Sequence, residues 1–212
     1  MKYIQKSFFE NKVLPLLSFI YTDTMYGNNY DFFRIKDILD QFSYGQLECK
    51  KLAVDKITPY ISEDDIIAII GGWYGLMSHM LCESGIKNQI IDYEIDSTCI
   101  DFHCKLKSHD NISPVLKDGF EIFESREDNG KDKIIICTAC EHIDEEDLYS
   151  YVSMKNPFST ILLQSNNMYD VDSHINCHDS LDHFIETLPD MNILYKGVKQ
   201  IDNYERYMVI AK

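Results

Sequence analysis

Residues Ile66-Ile67-Ala68-Ile69-Ile70 run without interruption into Gly71-Gly72-Trp73-Tyr74-Gly75 and then into Leu76-Met77. A strand apolar at every position must be covered on both faces, as parallel strands in α/β proteins are. The glycines let the chain turn tightly and let a ligand approach the backbone. A helix starting just after such a turn points its unbonded N–H groups at that ligand. Glu94 follows Gly75 by 19 residues and ends the next strand-like run, Lys87–Glu94. An acid about 20 residues after a glycine turn is placed to accept two hydrogen bonds from a ribose diol. Asp92 is the competing acid, two residues earlier on the same face, and Asp96 is placed to cap a helix from Ser97.

The rest of the chain repeats the alternation. Strands are predicted at Asp65–Ile70, Lys87–Glu94, Ser113–Leu116, Asp132–Thr138, Ser159–Ser165, Met191–Tyr195 and Tyr207–Ala211. Helices fill the gaps at Leu76–Ser84, Ser97–His109, Glu145–Met154 and Ser180–Thr187. Residues 62–212 therefore read as an α/β domain with a Rossmann-like, seven-stranded, mostly parallel sheet and helices on both faces. Residues 1–61 read as an N-terminal helical cap, with helices at Lys6–Tyr21, Asp31–Phe42 and Gly45–Ile61 and a kink expected at Pro15.

Charge narrows the partners. Twenty Lys and Arg against 35 Asp and Glu leave a formal charge of −15. Nucleic-acid binding depends on many cationic contacts to phosphate, so a nucleic-acid partner is not expected, nor is an anionic membrane surface. The 45% hydrophobic fraction excludes global disorder. No apolar run approaches the ~20 residues of a membrane span, and Met1–Glu10 lacks the order of a secretion signal. Seven cysteines, an odd number, suit reduced thiols in a cytoplasmic protein. Small molecules and protein partners remain, and the oligomeric state is not set by the sequence.

From Ser62 onward the sequence resembles the class I S-adenosylmethionine-dependent methyltransferases. Gly71-Gly72-Trp73-Tyr74-Gly75 is similar to their first motif, with Gly71 and Gly75 on its outer glycines. Glu94-Ile95-Asp96 resembles their ribose-binding motif, and Lys117-Asp118-Gly119 the later motif whose Asp contacts the adenine amine. The resemblance implies S-adenosylmethionine as cofactor. It carries cofactor contacts onto Gly71, Gly72, Trp73, Tyr74, Gly75, Glu94, Ile95, Asp118, Gly119 and Thr138, and expects an antiparallel hairpin at the end of the sheet. Two positions depart: Ile69 stands where the family has an acid, and Trp73 where it has the middle glycine. Trp73 is open to two readings, a floor of the ligand site or a wedge between helix and sheet. The form Gly-Gly-Trp-Tyr-Gly also resembles a less characterised methyltransferase-like subgroup.

Ligands of open α/β sheets bind beyond the carboxyl ends of the strands. Thr138-Ala139-Cys140-Glu141-His142 and Gln164-Ser165-Asn166-Asn167 follow two such ends. His142 or Glu141 is the expected catalytic base, unless the acids of Asp144–Asp147 mark a solvated loop. Cys140, Asn166 and Asn167 are expected at the acceptor, with Tyr26 and Tyr30 of the cap, although the cap tyrosines also suit a core of their own. Lys50 reads as pairing with a substrate carboxylate or simply with solvent. Cys140, His142, His174, Cys177 and His178 fit no common zinc spacing, so no metal is expected, and Asp170–Asp179 reads as a loop able to cover the acceptor. The family's nucleic-acid amino methyltransferases carry an Asn/Asp-Pro-Pro-aromatic motif that is absent here.

The expectation is thus a methyltransferase acting on a small molecule. Transfer of the aminocarboxypropyl group from the same cofactor and a non-catalytic binding protein on the same fold are the rivals. A dehydrogenase would need a second glycine turn, and none is present.

Overall fold

The computed structural model describes residues 10, 13–25, 32–107, 109–124 and 133–212. Helices α1 (Leu14–Met25), α2 (Phe32–Asp40) and α3 (Tyr44–Ile57) precede the sheet. Strands β1 (Ile66–Ile70), β2 (Ile90–Glu94), β3 (Ile112–Leu116), β4 (Lys133–Cys137) and β5 (Thr160–Asn166) then alternate with helices α4 (Leu76–Glu83), α5 (Ser97–Leu106), α6 (Glu121–Glu124) and α7 (Glu145–Met154). Helix α8 (Leu181–Glu186) leads into β6 (Ile193–Ile201) and β7 (Tyr204–Ala211). The sheet order is β3-β2-β1-β4-β5-β7-β6. Strands β1 to β5 pair in parallel, while β7 is antiparallel to β5 and to β6.

Side-chain alternation divides each central strand between two cores. Ile67 and Ile69 of β1, Ile134 and Ile136 of β4, and Met208 and Ile210 of β7 face one cluster, with Met77 and Met80 of α4 and Phe102 of α5. Ile135, Ile161, Leu163 and Val209 face the other, with Leu148 and Val152 of α7 and Phe184 of α8. Covering on both faces is what the continuous apolar runs require. Described cap residues Ile20, Ile38, Ala53, Val54 and Ile57 belong to the first cluster, so α1–α3 pack onto the sheet's own core. Gln164 adds a polar tie, its amide donating to the Cys49 carbonyl of α3 at 3.2 Å.

Pro15 is the second residue of α1. Asp96 caps α5 as expected, accepting the Thr98 N–H at 2.8 Å. The acids Glu145, Glu146 and Asp147 form the first turn of α7 behind its Asp144 cap, where the helix dipole favours them; they are not a solvated loop. Strand β6 runs past the expected end at Tyr195 to Ile201, because a two-residue Asp202-Asn203 turn with Asp202 at φ 42° closes a long hairpin. Among the described residues no helix is long and apolar enough to cross a membrane.

Candidate functional site

The turn after β1 is built from left-handed residues. Gly71, Trp73 and Gly75 have φ of 65°, 54° and 86°. For a tryptophan this conformation costs about 1–2 kcal/mol. Hydrogen bonds hold it: Glu94 Oε2 accepts the Trp73 N–H at 2.9 Å and Glu94 Oε1 accepts that of Asp96 at 2.9 Å. Gly72 N donates to the Tyr93 carbonyl at 3.0 Å, tying the turn to β2. The Trp73 ring lies 5.1 Å from that of Tyr74, packs on the first core and also borders the cavity described below, so both readings of this residue describe it.

Behind the turn the space is filled. A Cβ on Gly72 would fall 1.3 Å from Asp92 Oδ1, and one on Gly75 would fall 2.2 Å from His103 Cδ2. His103 Nδ1 is 3.7 Å from Asp92 Oδ2, and its Nε2 is 3.3 Å from Ser78 Oγ. Burial raises the Asp92 carboxyl to about 7 and lowers His103 to about 4. Asp92 thus supports the turn from within, and Glu94 is the acid that reaches the front.

In front lies a cavity of about 660 Å³, beyond the carboxyl ends of β1, β2 and β4. The strand sequence reverses direction between β1 and β4, which is where open sheets bind ligands, and the volume suits a small molecule. Toward β2 and β3 the walls are Glu94, Ile95, Asp118, Gly119 and Phe120. Asp118 Oδ1 accepts the Phe120 N–H at 2.9 Å. Toward β4 and the cap the walls are Thr138, Glu141, His142, His174, Arg206 and Lys50.

That second side is charged and mostly buried. Arg206 pairs through Nη1 with Glu141 Oε1 and donates from Nη2 to the Thr138 carbonyl. Glu141 Oε2 is buried with no hydrogen-bond partner among the described residues. Lys50 donates to Gln46 Oε1, and its burial, with Arg206 nearby, lowers its pKa to about 8. His142 Nδ1 lies 2.9 Å from the Ser173 carbonyl and His174 Nδ1 lies 3.1 Å from that of Met168. The two rings meet edge to face at 4.7 Å.

The sequence matches no protein-family model and no curated protein. Solved structures do match the fold. A SAM-dependent methyltransferase from Anabaena variabilis ATCC 29413 is 14% identical over 76% of this chain and 82% of its own, with a TM-score of 0.58. Magnesium protoporphyrin IX methyltransferase (ChlM) from Synechocystis PCC 6803, with bound SAM, is 13% identical over 100% of this chain and 99% of its own, with a TM-score of 0.58. A mutant of MtNAS in complex with S-adenosylmethionine is 12% identical over 97% of this chain and 76% of its own, with a TM-score of 0.56.

This chain has the class I methyltransferase fold.

On that methyltransferase fold, Gly71, Gly72, Trp73, Glu94, Ile95, Asp118, Gly119, Thr138, Glu141 and His142 all border the same cavity. Other expected residues do not. Tyr74 is fully buried, its ring 5.3 Å from and edge-on to Phe102, because it turns into the helix–sheet core. Gly75 is covered by His103. Cys140 is fully buried in the second core. Asn166 is fully buried and accepts the Met168 N–H at 2.8 Å, and Asn167 accepts that of Glu205 at 2.8 Å. Both amides shape the chain after β5 and neither borders the cavity. Tyr26 and Tyr30 lie outside the described residues.

His174, Arg206 and Lys50 are among the cavity residues that were not expected as site residues. His174 sits on the 167–179 loop, which is tied down where the Ile175 and Asn176 N–H groups donate to the Glu141 carbonyl at 2.9 and 3.1 Å. The pairing of His174 with Cys177 and His178 was the only signal for it. Arg206 faces Asn166 across the β5–β7 ladder; it stands beside Glu205, just before the predicted strand Tyr207–Ala211, and no local signal marks it. Lys50 is buried at the cavity wall, where the sequence favoured solvent.

Proposed function

We propose that the protein is an S-adenosylmethionine-dependent transferase that methylates a small-molecule acceptor. The observation that carries this reading is the shared cavity with the glycine turn and Glu94 on one side and Glu141, His142 and Lys50 on the other. When bound, the cofactor supplies a sulfonium methyl group that an acceptor lone pair attacks.

The residues present fit such a cofactor. Gly71 at φ 65° has only the Ala139 Cβ near its own missing Cβ, at 3.9 Å, so its backbone is open to a ligand. Each Glu94 oxygen accepts one backbone N–H and keeps a lone pair for a ribose hydroxyl. Asp118 uses Oδ1 on Phe120, leaving Oδ2 for an adenine amine. Ile95 and Phe120 offer apolar surface to the base. His142 serves the acceptor's proton: Nδ1–H donates to the Ser173 carbonyl, which leaves the Nε2 lone pair as a base. Glu141 is held by Arg206 and acts on charge. The buried Lys50 ammonium favours an acceptor with an anionic group.

Calorimetric titration with S-adenosylmethionine and S-adenosylhomocysteine tests this reading on the wild type and Glu94→Ala. Binding that the substitution weakens by about 1–3 kcal/mol, the worth of charged hydrogen bonds, supports it. No binding by the wild type leaves a scaffold for another ligand. Aminocarboxypropyl transfer is the second reading, favoured by buried Ile69 where the resembled family has an acid; release of methylthioadenosine instead of S-adenosylhomocysteine would establish it.

A further inference from the structure

Two histidines and a glutamate meet where the acceptor side of the cavity opens. Glu141, His142 and His174 each offer one ligand atom, and the three atoms lie within 4.8 Å of one another. We propose that they form a binding site for a divalent transition-metal ion. The proposal rests on the acceptor-side reading above and gives it a substrate class, an acceptor with a metal-binding oxygen such as a hydroxyl or enol.

The surroundings are those of a metal site. Each imidazole is fixed by a backbone carbonyl on Nδ1, Ser173 for His142 and Met168 for His174. That contact sets the tautomer and leaves Nε2 as the donor, which is how ligating histidines are held. Glu141 uses Oε1 on Arg206 and keeps Oε2, buried and without a hydrogen bond among the described residues. An orphaned carboxylate oxygen is costly unless something occupies it. The two loops that carry the ligands are joined at the Glu141 carbonyl by Ile175 and Asn176. Ligand bonds of about 2.0–2.2 Å place neighbouring donors ~3–4 Å apart, so the cluster closes by about 1 Å around an ion. His142 lies exposed at the rim, so no packed core opposes that movement.

Two nitrogens and one oxygen suit Zn²⁺, Mn²⁺ or Fe²⁺ better than Mg²⁺, which prefers oxygen throughout. Three protein ligands leave positions for an acceptor oxygen. Coordination lowers the pKa of the acceptor O–H: its electron pair stays on the oxygen and the proton goes to solvent water. His142 is then a ligand, and that proton no longer passes to it.

A second cluster, His79, Glu83 and His109, lies at the far end of α4 and has to be separated from this one. Mn²⁺ and Zn²⁺ are titrated into the full chain by calorimetry, with Mn²⁺ also followed through the electron spin resonance of the free ion. One ion per chain is expected, bound at least ~10-fold more weakly by His142→Ala and by His174→Ala, with urea midpoints showing that both variants fold. No binding of either ion by the wild type overturns the proposal. So does binding that survives both substitutions and disappears in His109→Ala. Binding of S-adenosylhomocysteine in EDTA keeps the readings apart: cofactor binding without metal binding sinks only this inference, and the converse sinks the transferase reading together with the acceptor class, leaving the metal site.

Discussion

The Glu94 carboxylate holds the Trp73 N–H at 2.9 Å while Trp73 sits at φ 54°. One acid therefore both faces the cavity and fixes a strained residue of the turn. The strain and the ring separate by substitution. Trp73→Ala keeps the left-handed backbone and loses the ring packed on Tyr74. Trp73→Gly loses the same ring without the strain. Urea denaturation is expected to find Trp73→Gly more stable than Trp73→Ala by about 1 kcal/mol. Equal stabilities would mean that the turn stores no strain.

Gly72 and Gly71 are expected to respond differently to alanine. Gly71→Ala meets only an ordinary contact with the Ala139 Cβ at 3.9 Å and is opposed by the positive φ, at about 1–2 kcal/mol. Gly72→Ala drives a methyl into the Asp92 carboxylate and should cost about 3 kcal/mol or more. Adding Asp92→Ala to Gly72→Ala should recover part of that loss. A double variant whose losses simply add would refute steric conflict as the cause.

Arg206 and Glu141 form a buried ion pair, with 6% and 5% of their side chains exposed. Arg206→Met leaves a lone buried carboxylate and is expected to cost about 3–5 kcal/mol. Replacing both residues by methionine should cost less than Arg206→Met alone, because no charge is stranded. A double-mutant cycle by chemical denaturation measures this coupling.

Acid should weaken the fold through its buried histidines. Burial lowers His79 and His178 to about 4, while unfolded histidine titrates near 6.5. Between those values the unfolded chain binds more protons, so stability falls as pH drops from about 6.5 to 4. Asp92, raised to about 7, pulls the other way, and its neighbour His103, lowered to about 4, offsets it. Urea unfolding at pH 5 is expected to give about 2–4 kcal/mol less stability than at pH 7. His79→Gln should remove a substantial part of the difference, and a flat profile would show that the histidines protonate in place.

The sheet and the front of the site were legible because both are local. Ile66–Ile70 is apolar at every position, and a strand of that kind is buried on both faces wherever it lies. Gly71 and Gly75 mark positive φ by their identity, and the distance to Glu94 follows from one helix and one strand. The Asp202-Asn203 turn was also there to be read, yet the polar stretch Lys196–Gln200 hid it, since an edge strand is half exposed.

What only the tertiary structure decided is which polar side chains face the cavity. Asn166 and Asn167 directly follow an apolar strand end, as do Glu141 and His142 a few residues beyond theirs, and sequence treats the two clusters alike. The fold commits the asparagines to backbone N–H groups and leaves Glu141 and His142 at the wall. Lys50, Arg206 and His174 come from helix, strand and loop far apart in the chain. Local pattern sets strands, turns and caps through interactions between near neighbours. The direction of a polar side chain is set by which distant partners satisfy it, and those partners are fixed only once the chain has packed.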